Sequence, residues 1–84
     1  MSIQSIGTLS TGIRSCVPAT VGTTYNIWKG LIVDITGTYT IVTVDDTTGG
    51  AGTAIYLAAG IVHPIPGTKI VSAAAGSTNI TIGY

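Results

Sequence analysis

The 84-residue chain has no glutamate, no phenylalanine, one glutamine and three leucines, so the straight-chain residues that build amphipathic helices are scarce. Threonine, isoleucine, valine and glycine abound instead, and strands become the default. Charge is equally sparse. Arg14, Lys29, Lys69, Asp34, Asp45 and Asp46 make up 7 % of the chain and cancel to zero, against about 25 % in an ordinary soluble domain. Three basic residues spread from position 14 to 69 form no patch able to displace counterions from phosphates, which argues against nucleic acid as a partner. Long apolar runs are missing too. The longest, residues 54–62, contains Gly60 and is nine residues long, where a membrane-spanning helix needs about 20. The opening MSIQSIGTLS has neither a basic start nor an apolar centre, so synthesis and retention in the cytoplasm are expected. A single cysteine, Cys16, excludes an intrachain disulfide and reads as a small buried hydrophobe.

What is present points to one small β domain, residues 1–84, near the lower end of sizes that fold alone. In YNIWKGLIVDI, read as one strand, Ile27, Lys29, Leu31, Val33 and Ile35 share one side, with Trp28, Gly30, Ile32 and Asp34 on the other. Both sides are substantially apolar, as in strands covered on two faces by other layers or by a partner. Thr36, Gly37 and Thr38 read as a tight turn and YTIVTVD as the antiparallel return strand. DDTTGGAGT then reads as a flexible loop and AIYLA as a further strand. Pro64 and Pro66, two apart, remove backbone donors from the same strand edge. Residues 61–66 therefore belong on a sheet margin or in a polyproline-like segment, where they block further strand addition. TKIVSAA and TNITIGY supply a C-terminal hairpin around a turn at residues 75–77. Residues 1–24 read as a partly irregular N-terminal arm, with one strand near residues 3–9 and irregular chain around Val17 and Pro18. About six short strands at roughly 8–12-residue spacing predict an all-β fold, a small antiparallel β-sandwich or barrel.

Catalytic chemistry finds little to work with. One histidine, three aspartates and one cysteine offer few titratable groups to gather in a cleft. VHPIP around His63 holds no nucleophile elbow and nothing local selects a serine, so His63 reads as a packed or interfacial imidazole. Asp45 and Asp46 before TTGGAG lack the spacing and the later glutamate of a calcium loop, and read as a turn with two solvated carboxylates. GGAG lacks the lysine and the following helix of a phosphate loop. No enzyme, cofactor or metal is expected. Of the large side chains, Trp28 and Tyr56 alternate with small neighbours, Gly30 for the first and Ala54 and Ala58 for the second. Shallow faces of this kind leave a ring standing proud as a partner anchor. A carbohydrate platform also uses exposed aromatics, but around Trp28 the polar support is limited to Asn26 and Asp34.

The stretch IWKGLIVDITGTYTIVTVDD and the later LAAGIVHPIPGTKIVSAAAGSTNITIGY resemble the small glycine- and threonine-rich virion proteins of tailed bacteriophages. The resemblance spans about residues 25–84. It rests on Ala59 and Gly60 with Pro64, on Val71 with Ala73, and on Thr78, Asn79 and Ile80 running to Tyr84. It implies a capsid decoration, or cement, protein: a small β-fold on the outer face of an icosahedral shell, often a trimer, that clamps neighbouring major capsid protein subunits. The expected location is then the virion, and no catalytic residues are implied. A weakly charged surface favours association, which suits a homo-oligomer on a scaffold, with a trimer preferred. Trp28, Tyr56, His63, Pro64, Ile65, Pro66 and Tyr84 are the candidate interface residues. A tail or fibre component involved in host adsorption is the alternative for a chain of this composition.

Overall fold

The computed structural model describes residues 12–84, and the strand expected near residues 3–9 lies outside them. The all-β class expected from the composition is what the chain adopts. Among the described residues seven strands form: β1 (Cys16–Ala19), β2 (Thr24–Trp28), β3 (Gly30–Val33), β4 (Gly37–Thr43), β5 (Thr53–Leu57), β6 (Gly67–Ser72) and β7 (Ile80–Gly83). They make two antiparallel sheets, one ordered β1-β7-β3 and the other β2-β6-β4-β5. Between the sheets lies a single core of Trp28, Leu31, Val33, Tyr39, Ile41, Leu57, Ile70, Ile80 and Ile82. Burying each such side chain contributes about 1.5–3 kcal/mol, so this layer supplies most of the drive to fold.

The apolar run through residues 24–33 is not one strand. At Lys29 the chain leaves the four-stranded sheet, where Trp28 is in register with Gly67, and enters the three-stranded one, where Gly30 is in register with Gly83. The Lys29 N–H donates to the Gly83 carbonyl at 2.7 Å, fixing the corner. The corner breaks the two-residue alternation. Trp28, Leu31 and Val33, expected on opposite faces, all point into the same core.

Two expected hairpins are replaced by crossings between the sheets. β3 does not pair with β4; it pairs with β7, and residues 34–36 carry the chain to the opposite sheet. β6 and β7 likewise lie in different sheets, so residues 73–79 form a second crossing. The physical reason is that β3 and β4 both present apolar residues to one core, which facing sheets satisfy more fully than adjacent strands do. The hairpin that does form joins β4 to β5 across residues 44–52, with Tyr39 opposite Ile55. Its loop is organised, not loose. Asp46 accepts hydrogen bonds from the Thr48 N–H at 3.1 Å and the Gly50 N–H at 2.8 Å, and the Thr48 hydroxyl accepts one from the Gly52 N–H at 2.7 Å. Gly49, Gly50 and Gly52 take the positive φ values of 70°, 96° and 87° that this tight path requires.

The stretch around Val17 and Pro18, expected to be irregular, is the edge strand β1, with Pro18 opposite Thr81. An edge tolerates proline because only one side of the strand needs donors. Cys16, expected to be buried, is exposed on that same edge strand.

Candidate interaction surface

His63, Pro64, Ile65 and Pro66 form a strap along the open side of β3, on the sheet margin where the two prolines place them. His63 and Leu31 exchange backbone hydrogen bonds of 2.8 and 3.0 Å, a single antiparallel bridge. The ladder then stops, because the Ile65 N–H turns back to the His63 carbonyl at 2.8 Å in a γ-turn centred on Pro64, whose fixed φ suits it. The imidazole is half-buried, and its Nε2 lies 2.8 Å from the Ala58 carbonyl. A carbonyl only accepts, so Nε2 carries the hydrogen and His63 serves as a structural donor. Ile65 packs against the core, and its carbonyl accepts the Trp28 indole N–H at 2.8 Å.

That bond locates Trp28. Expected to stand proud, its ring is 0 % exposed. Gly67 below it makes the space: a Cβ there would lie 2.8 Å from Trp28 Cζ2 and 2.8 Å from the Val42 carbonyl oxygen. The shallow face thus receives the ring instead of displaying it. Tyr56 differs. It is 72 % exposed on the outer face of β5, far in the topology from the strap. Tyr84 is half-buried, packs against the core and donates its hydroxyl to the Asn26 carbonyl at 3.2 Å. The strap and Trp28 are therefore one unit, while Tyr56 and Tyr84 belong to other regions.

The outer face of the three-stranded sheet brings together residues that were not singled out from the sequence. Pro18, Thr81 and Ile32 are in register across it. The antiparallel continuation of the His63 bridge sets Val62 beside Ile32. Ile32 and Val62 are 37 % and 41 % exposed. Next to this row Gly83 and Gly30 are in register, and Ile13 lies over both, with its side chain 2.7 and 3.1 Å from where their Cβ atoms would sit. The result is an uncharged apolar strip. On the opposite sheet, the outer face carries Thr38, Thr40, Ala54, Tyr56, Val42, Lys69 and Thr24, a predominantly polar and threonine-rich surface. The only sign of the strip in the sequence was the doubly apolar run through residues 27–35.

The Asp34 carboxylate is engaged by the chain's own polar groups. Asp34 accepts hydrogen bonds from the Ser77 hydroxyl at 2.6 Å, the Thr78 N–H at 2.9 Å and the Asn79 N–H at 3.1 Å. The Ser77 bond first, and then the Thr78 N–H, lower its pKa to about 2. Among the described residues no group of three or more His, Cys, Asp or Glu side chains is placed to hold a metal ion. Compared with protein-family models, with curated proteins and with solved structures, the chain matches none.

Proposed function

We propose that this protein is a structural component of a bacteriophage virion, a capsid decoration protein that binds the outer surface of the major capsid protein shell as a small homo-oligomer and stabilises it. The apolar outer strip of the three-stranded sheet carries this reading. Exposed isoleucine and valine in a row, beside the two glycines that Ile13 covers, suit contact with another protein. The strap supports the strip from behind, since Trp28 and Leu31 tie it to the core. Such a surface is rigid before binding, which lowers the entropic cost of docking. The resemblance at residues 25–84 supplies the partner.

A decoration oligomer that touches two or more shell subunits adds its binding free energy only to the assembled particle, and so shifts the balance toward it by mass action. Decorated particles should therefore release DNA at a higher temperature than bare ones. Ile32→Lys, on the strip, should abolish capsid binding while leaving the circular dichroism spectrum unchanged. Equal release temperatures at demonstrated full occupancy would overturn the clamp and favour a tail or fibre role.

A further inference from the structure

The two sheets have four edges, and three of them are blocked. On β1, Pro18 removes a backbone donor from the free side. The side of β3 is occupied by the His63 bridge and closed by Pro64 and Pro66. β2 pairs irregularly with β6, with a register shift between Thr24 and Trp28, and a strand bent in this way is a poor template for regular pairing on its free side. The fourth edge is β5, Thr53–Leu57, which pairs on one side with β4 in unbroken register and, among the described residues, with nothing on the other. It holds no proline, no glycine and no charge. Alternate N–H and C=O groups of such a strand point outward and can template another strand.

We propose that the free edge of β5 pairs antiparallel with β5 of a second copy of this chain, about a two-fold axis at Ile55. The side chains are self-complementary in that register. Tyr56 faces Ala54 of the partner copy on the outer face, so the most exposed ring in the chain lies across a methyl group and meets no bulky side chain. On the inner face Ile55, already packed against the core, meets its own copy and extends that core across the junction. No like charges are opposed, because the strand has none. The two four-stranded sheets become one continuous sheet of eight. A two-fold contact is isologous and closes at two copies, so it makes a dimer in place of the trimer expected from the resemblance.

Size sets the strength. The junction is a single strand edge about 17 Å long, and it covers well under the ~800 Å² per copy of a standard stable interface. The free dimer is therefore weak and forms only at high protein concentration. Copies held side by side on a scaffold experience millimolar effective concentrations, and there the contact is filled. This inference stands apart from capsid binding, since it is read on the isolated protein.

Sedimentation equilibrium of the full chain from about 10 μM to about 1 mM tests it, alongside amide exchange of β5 at both ends of that range. The expected result is a mass rising from 8.4 kDa toward twice that value, with concentration-dependent protection of alternate amides in β5. Ala54→Lys and Tyr56→Ala, both at exposed positions, should each weaken association about tenfold or more with unchanged circular dichroism. A monomer up to 1 mM, a trimer, or a dimer whose β5 amides exchange as in the monomer overturns the proposal. So does protection of the outward-facing β5 amides that is independent of concentration, which would mean that the edge is covered within one copy.

Discussion

A methyl group added at Gly67 has nowhere to go. Its obstacles are a buried ring atom of Trp28 and a backbone carbonyl of β4, both at 2.8 Å, and neither is the loose end of a side chain. Overpacking of this kind costs about 1–3 kcal/mol, so Gly67→Ala should lower the melting temperature clearly in a calorimetric scan. Gly83→Ala makes the control. The nearest obstacles to its methyl are three atoms of the Ile13 side chain, at 2.7 to 2.9 Å on the outer face, in place of a buried ring and a backbone carbonyl, and the loss should be smaller. Equal losses would mean that Ile13 is as fixed as the core. Trp28→Ala removes the ring that Gly67 accommodates and the indole bond to Ile65; truncations of this kind cost about 3–5 kcal/mol. Set against a total stability of about 4–12 kcal/mol for a domain of this length, that is a large share, and the variant should melt far below the parent by circular dichroism. Tyr56→Ala, at 72 % exposure, should melt close to the parent.

At the scale of the elements, the two sheets are stapled by Asp34, at the end of β3, holding the crossing between β6 and β7. Its carboxylate has a pKa of about 2 against an ordinary 3.8, so the folded state favours the charged form. The stabilisation is present in full above the ordinary value and is lost as pH falls through the folded one. Melting temperature should thus decline between about pH 4 and pH 2, and Asp34→Asn should be less stable at neutral pH with a flatter acid limb. A parallel curve for the variant would remove Asp34 from the account. Asp46, lowered by its Thr48 and Gly50 bonds, adds to the same limb. Strands β4 to β7 were legible in the sequence because β-branched residues and glycine-rich breaks mark them locally, whereas Pro18 hid β1 and the apolar run hid the break between β2 and β3. Partners were not. The glycine-rich break after β4 read as a flexible loop because the bonds to Asp46 and Thr48 that order it leave no mark on composition. The tight turn after β3 looked ideal for one, yet the bonds of Asp34 reach some 43 residues ahead to Ser77. The proline strap was legible as a margin since missing donors are a property of residue type, whereas the burial of Trp28 depended on a corner at Lys29 that shifts the alternation by one.

For the whole molecule, the strands from β1 to β7 visit the two sheets in the order three-stranded, four-stranded, three-stranded, then β4, β5 and β6 in the four-stranded one, and finally back. Four connections cross between the layers, and neither sheet is made of contiguous chain. Separating one sheet pulls on the other, so both should be lost in one cooperative transition, with coincident curves from tryptophan fluorescence and far-UV circular dichroism. Non-coincident curves would show that one sheet survives alone. The pairing of β1 with β7 carries a mechanical consequence. Cys16 lies opposite Gly83, so residues near positions 12 and 84 leave from the same end of the three-stranded sheet. Tension between them opens that pair like a zipper, one rung at a time, and each rung fails alone. Tension directed along the strands, entering through the outer strip, loads every rung together in shear. A domain built this way is soft to a pull on its ends and stiff to a load that enters across the outer strip.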